Sequence, residues 1–389
     1  MSTKLSEELA KFYIRKKKSV IFHHGYSLNH LALSMWEYLG FAGMDASTLS
    51  RVISGERLFT PKQIEAFGRV LYLSESEIQL IHRAVYKDQL LRAGIVATDE
   101  FFFQLGQETD ELLESLLIYC WKLLYEGKHE ELRILTMALN TNFKTQINLI
   151  NNKQSRDTIL DLLYLEGRAI SSLSASNNVN EEIISVVQSI HKIAEAGESQ
   201  RQLATAYIST LQSNALYIHG GYSHAKKKEQ VYAKSIKWGK KALAAFPHTH
   251  PDKLFAARVM YASLSYFDKT SITDKYVEDA KKLVDPVGEA GSINALHLYA
   301  TLAKLYSNAG HTNGLDLLYW SRKQYKEKLN GRGIYEISDI RNELELYVRL
   351  NIHDDTHVKP LIARGLQLAD HGRISRYTKN IQNLAKKLR

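Results

Sequence analysis

At 389 residues the chain has room for two or three domains, and a composition of 44% hydrophobic and 24% charged residues is that of a soluble globular protein. Only 5 Pro and 21 Gly argue against a turn-rich β fold, no apolar run approaches the roughly 18 residues of a membrane span, and one cysteine excludes an intrachain disulfide. The net charge of +9 suits a polyanionic partner, and residues 1–70 hold ten basic against six acidic residues, nearly half of the excess in under a fifth of the chain.

Residues 4–18 are predicted to form one helix with Leu5, Leu9, Phe12 and Tyr13 on one side. Its basic end, Arg15-Lys16-Lys17-Lys18, is either a phosphate-binding arm or a solvated helix terminus. A second helix is expected over Asn29–Phe41, with Leu31, Met35, Tyr38 and Leu39 at helical spacing, and Gly40 and Gly43 bracket the turn after it. Asp45 or Ser47 then offers an N-cap for a short helix that closes at Gly55. Thr60-Pro61 starts another through Ile64, Phe67, Val70 and Leu71. Ser74 with Glu77 forms a capping box ahead of Ile78, Ile81 and Val85. These elements make an N-terminal domain over residues 1–90.

Residues 91–389 form the second region. From about residue 108 it reads as a dozen amphipathic helices separated by short polar breaks, such as Gly127–His129, Gly220–His224, Phe246–Pro251 and Asp285–Ser292. Tyr261-Ala262-Ser263-Leu264 recurs as Tyr299-Ala300-Thr301-Leu302, 38 residues on. Small residues interleaved with Tyr and Leu, as in Phe255–Ala262, are what close antiparallel helix pairs need. The region resembles degenerate tetratricopeptide repeats, and the expected fold class is all-α: a helix-turn-helix domain followed by an α-solenoid.

The most specific stretch is Met44–Arg57. Leu49, Val52 and Ile53 form one apolar face, leaving Ser47, Thr48, Ser50, Arg51 and Ser54 outside it. Small hydrogen-bonding groups plus a guanidinium suit a major groove about 12 Å wide. The stretch resembles the recognition helix of the lambda-repressor/Cro-like helix-turn-helix family, matched by Ser47, Thr48, Leu49, Ser50, Arg51, Val52, Gly55 and Arg57. By that resemblance Ala46, Ser47, Ser50 and Arg51 would face bases of double-stranded DNA, while Thr48, Arg57 and Lys62 would take backbone phosphates. Gly40–Gly43 makes the connection between scaffold and recognition helices longer than the family's usual turn.

Other chemistries find little support. Of His23-His24, His248-Thr249-His250 and the pair His353 and His357, the last has i, i+4 spacing but lies in a polar break with no HExxH pattern and no Cys partner, so no metal is expected. No phosphate loop, nucleophile elbow or Cys/His pair with family spacing is present, so neither a cofactor nor an enzymatic activity is expected. Cys120, within the apolar Leu116–Trp121, reads as a buried structural thiol. The start, MSTKLSEELAKFYIRKKKS, has no apolar core of a secretory signal, and a cytoplasmic protein is expected. In the repeats, Tyr261 and Tyr299 with Asn214, Asn294, Asn308 and Asn342 are the candidate peptide-binding residues. A lambda-repressor-like head with helical repeats resembles the Rgg/PlcR-type peptide-responsive regulators and the related phage communication receptors. That resemblance implies a homodimeric, DNA-binding transcription regulator whose repeats bind a peptide or protein and which has no membrane partner. The alternative is a helical-repeat adaptor with no DNA function.

Overall fold

In a computed structural model the chain forms eighteen α-helices and one two-stranded hairpin among the described residues, as the all-α expectation required. The structure describes residues 3–388 apart from 17–18, 42, 93–109, 145–152, 174–178, 196–199, 224, 268–272, 309–312, 326–332 and 372–374. The chain divides into two compact units, Met1–Thr109 and Asp110–Arg389. The expected boundary at residue 90 falls inside the last described helix of the first unit.

In the first unit, α1 (Lys4–Leu9) is capped by Thr3, whose Oγ1 accepts from the Ser6 N–H at 3.1 Å. The predicted helix over 4–18 stops there. A 3-10 turn (Ala10–Phe12) leads into β1 (Tyr13–Lys16), paired antiparallel with β2 (Ser19–Phe22). The aromatic rings explain the change. Phe12 and Phe22 each meet Phe67 edge to face at 6.1 Å, and the hairpin brings both into one core. Arg15 and Lys16 are therefore exposed on a strand rather than on a helix end, and Lys17 and Lys18 lie outside the described residues.

The second helix, α2 (Leu28–Tyr38), begins at an Ser27 cap and ends before the predicted Phe41, because Gly40, Phe41 and Gly43 take φ of +69°, +65° and +73°. Next come α3 (Ala46–Ile53), α4 (Pro61–Val70) and α5 (Glu75–Arg92). Thr60 and Gln63 form a capping box on α4, and the Gln63 amide also donates to the Gly43 carbonyl at 2.7 Å, tying α4 to the turn before α3. Buried Asp88 on α5 accepts from the backbone N–H groups of Lys4 and Leu5 at 2.9 and 2.8 Å, so a carboxylate sits at the positive end of α1. Leu5, Leu9, Phe12, Leu31, Met35, Leu49, Val52, Phe59, Ile64, Phe67 and Ile81 make the common core.

Gly55 closes α3 with φ +81°, and a Cβ there would lie 2.9 Å from two side-chain atoms of Thr3, the residue that caps α1. Gly55→Ala is therefore expected to cost about 1–3 kcal/mol, from the left-handed backbone plus a displaced cap. Urea unfolding of the full chain checks this, and no loss of stability would contradict the strain.

The second unit contains α6 (Asp110–Tyr125), α7 (His129–Lys144), α8 (Lys153–Leu173), α9 (Val179–Glu195), α10 (Arg201–Tyr222), α11 (Ala225–Ala245) and α12 (Asp252–Phe267). It continues with α13 (Thr273–Val284), α14 (Ser292–Asn308), α15 (Asn313–Tyr325), α16 (Gly333–Leu350), α17 (Asp355–His371) and α18 (Ser375–Lys387). The even-numbered helices from α6 to α18 contact one another in succession as an inner layer. Each odd-numbered helix from α7 to α17 lies against the inner helices before and after it. This is a helical-repeat array whose unit is a helix pair. The 38-residue recurrence of Tyr261 and Tyr299 is the step from α12 to α14.

Small residues let the pairs close. Ser213, Ser235 and Ser263 form a buried hydroxyl chain across α10, α11 and α12, with Ser235 Oγ 2.8 Å from Ser263 Oγ. At Gly314 a Cβ would come within 2.5 Å of the Ala303 carbonyl oxygen, so only glycine lets α15 approach α14 there. The inner layer curls so that α16 reaches α6. The Tyr335 hydroxyl on α16 donates to the Leu124 carbonyl of α6 at 2.7 Å, and its ring meets His129 of α7.

Candidate functional site

α3 buries Leu49, Val52 and Ile53 and exposes Ser47, Ser50, Arg51 and Ser54, with Ala46 half-buried. Its outer face is organised by short local bonds. Asp45 accepts from the Thr48 N–H and, at 2.9 Å, from the Ser47 hydroxyl, while Arg51 Nη2 donates to Ser47 Oγ at 3.2 Å. Beyond the helix the Arg57 N–H donates to the Arg51 carbonyl at 3.1 Å, folding the loop back so that Arg57 is exposed close to Arg51 in the chain fold. Lys62 is exposed on the first turn of α4. The set therefore presents hydroxyls and three cations on rigid backbone.

Thr48 departs from expectation. Its side chain is buried and its N–H is taken by the Asp45 cap, so it is a packing position rather than a phosphate ligand. The helix is rotated so that Thr48 and Leu49 face inward together, which the period of the apolar residues alone left open.

The Asp45 carboxyl is held below its usual range by the Thr48 N–H, then by the Ser47 hydroxyl. A depressed folded value means that the cap is at full strength above the unfolded value near 4 and is lost as pH falls through the lower folded value. Amide-exchange protection of α3 is expected to weaken from about pH 4 downward, and Asp45→Asn is expected to keep the cap without that acid dependence. Equal acid sensitivity in both proteins would contradict this role for Asp45.

The inner layer of the second unit lines a pocket open to solvent. Its wall is built from the inner layer: Arg168 on α8, Asn214 and Tyr217 on α10, Phe255 and Arg258 on α12, Thr301 and Lys304 on α14, Ser338, Arg341 and Asn342 on α16, and Tyr377 on α18. Asn214 and Asn342 are thus placed where a ligand would meet them. Tyr261 and Tyr299 are not. Both are core residues turned to the outer layer, meeting Tyr276 of α13 and Trp320 of α15. Asn294 also departs, because its amide is spent on the Pro251 carbonyl and Asp252 at 3.2 and 3.3 Å. Asn308 ends α14, and its side chain is outside the described residues.

Cations dominate this wall. Arg168 pairs with buried Asp252, which also accepts from the Tyr164 hydroxyl at 2.5 Å, and the guanidinium lies 3.4 Å over the Phe255 ring. Burial would lower Arg168, but the Asp252 charge outweighs it and holds the group above its usual value. Lys304 donates to Glu345 at 2.7 Å, and Arg349 shares the same carboxylate. Burial still pushes Lys304 down to about 7, against the pull of Glu345. Burial, with Arg168 and Arg258 adding to it, pushes His129 down to about 3. The sequence carries one signal for these cations: Arg258 interrupts the apolar run Phe255–Ala262, whose spacing otherwise points only to packing.

Among the described residues no group of three or more His, Cys, Asp or Glu could hold a metal ion, and no helix is long and apolar enough to cross a membrane. His248–Pro251 forms the turn between α11 and α12. Cys120 is buried, and burial raises its thiol to about 12, which disfavours the reactive thiolate. No protein-family model, curated protein or solved structure matches the chain.

Proposed function

We propose that the chain is a sequence-specific DNA-binding transcription regulator. In this reading α3 enters the major groove, and the helical array binds a peptide or protein partner and mediates dimerisation. The observation that carries it is the outer face of α3: an apolar back locked in the core, a capped N-terminus, and Ser47, Ser50 and Arg51 exposed in front with Arg57 and Lys62 beside them. A helix held this way loses little freedom on docking, and its groups are those that bond base edges and phosphates. One eight-residue helix buries little surface, so tight specific binding calls for two copies on a two-fold-related site.

The test is selection of genomic fragments bound by the full chain, with and without culture extract as a source of the array's ligand. The expected result is a shared motif with two half-sites about one or two helical turns apart, and a change in yield when extract is added. Recovery of fragments with no more common sequence than the input would overturn the reading. It would favour the adaptor role, in which the first unit docks another protein.

A further inference from the structure

We infer that the cavity lined by the inner helices is a binding site for a ligand carrying a compact oxyanion, a carboxylate or a phosphate. This deepens the sensing role proposed for the array and depends on that role only for its consequence at DNA.

The wall brings four cations from four different helices, Arg168, Arg258, Lys304 and Arg341, and no lining residue is a carboxylate. Two of the four are matched from behind the wall: Arg168 by Asp252, and Lys304 by Glu345. Glu345 is itself shared with Arg349, and its charge also acts on Arg341: burial would lower that group, but Tyr217, Tyr377 and then Glu345 hold it above its usual value. Among the described residues Arg258 has no hydrogen bond and no ion pair; its guanidinium rests 4.8 Å over the Phe255 ring. Arg341 donates to the Asn342 amide oxygen at 3.1 Å and lies 5.8 Å over the Tyr377 ring, and its Nε is buried without a partner.

A guanidinium that faces this pocket without a counter-charge of its own, as Arg258 does, costs stability unless something else supplies the charge. The surroundings feel the excess. His297, behind the same wall, has both ring nitrogens buried without a hydrogen bond and is pushed far below its usual range by burial and then by Arg258 and Arg341. The rest of the lining suits an anion attached to a short body. Asn214, Ser338 and Thr301 offer hydrogen bonds, and the Phe255, Tyr217 and Tyr377 rings offer flat apolar contact. A planar guanidinium fork matches both carboxylate and phosphate, so the two ligand classes share the same chemistry at this wall.

The experiment uses the full chain and two kinds of probe, inorganic pyrophosphate and tetra-alanine with either a free or an amidated C-terminus. Binding is read by calorimetry and by the thermal midpoint, in the parent and in Arg258→Gln, Arg341→Gln and the exposed control Lys234→Gln. We expect at least one oxyanion probe to bind the parent and Lys234→Gln alike, and about tenfold or more weaker in both cavity variants. Without probe, Arg258→Gln should melt no lower than the parent, because it removes an unmatched charge. Binding of pyrophosphate alone assigns a phosphate ligand; binding of free but not amidated tetra-alanine assigns a carboxylate. Absence of binding by every probe, equal binding in parent and cavity variants, or a large fall in the midpoint of unliganded Arg258→Gln would each overturn the inference. None of these measurements involves DNA, so failure of the regulator reading would leave them intact.

Discussion

Asp252→Ala is expected to destabilise the second unit by about 3–5 kcal/mol, lowering its thermal midpoint by roughly 10 °C. Asp252 is fully buried at the start of α12 and is the counter-charge of Arg168, which is itself only 3% exposed. It also accepts from the Tyr164 hydroxyl and the Asn294 amide, so one deletion strands a guanidinium and two neutral donors. The attraction between the charges is not the source of this number. The cost comes from leaving Arg168 desolvated with nothing to balance it. It follows that Arg168→Met combined with Asp252→Leu should recover most of the loss, since apolar groups of similar size fill the space without stranding a charge. Urea unfolding followed by circular dichroism reads both proteins. A loss under about 1 kcal/mol in Asp252→Ala would show that Arg168 can turn into the cavity and find water there. The contrast with Arg258→Gln is informative, because one charge sits in a matched pair and the other does not.

Arg51→Ala with Arg57→Ala is expected to weaken binding to a selected DNA site by about 30- to 1000-fold at fixed salt, and to reduce the slope of log affinity against log salt by one to two. Arg51 stands on the exposed face of α3, steadied by Ser47, and Arg57 stands on the loop that follows. A guanidinium bonded to a base edge contributes about 1–3 kcal/mol of discrimination, whereas one bonded to phosphate contributes affinity without preference and about one unit of salt slope. The single variants separate the roles. Arg51→Ala should relax sequence preference, and Arg57→Ala should weaken all sites alike while flattening the salt dependence. Unchanged affinity in the double variant, measured by fluorescence anisotropy at matched salt, would remove α3 as the DNA-reading element.

Local chemistry was legible wherever a residue acts on its own neighbours in the chain. The caps at Asp45, Thr60 and Ser74, the glycine stop at Gly55 and the buried back of α3 all lie within a few residues of the groups they serve. Helical period and the scarcity of Pro and Gly were enough to expect an all-α array, and the recurrence of Tyr-Ala-Ser-Leu marked its helix-pair step. The hairpin at Tyr13–Phe22 was not legible, because Phe12 and Phe22 are drawn into the core by Phe67, some fifty residues away. Tyr261 and Tyr299 failed as ligand contacts for a related reason. Amphipathic period shows that a helix has an apolar side, but not which of two layers that side meets.

What the amino-acid sequence determined by itself is the all-helical character of the chain and the apolar back of α3, since both follow from interactions within one turn of helix. Only the tertiary structure decided the second candidate site. Arg168, Arg258, Lys304 and Arg341 come from helices spread over more than 170 residues, and each alone reads as a cation that would turn to solvent. The curl of the inner layer, with Tyr335 bonded to Leu124, brings them to one wall that carries no carboxylate and leaves Arg258 without a counter-charge. Charge balance at one wall is a property of the assembled array, and no window along the chain contains it.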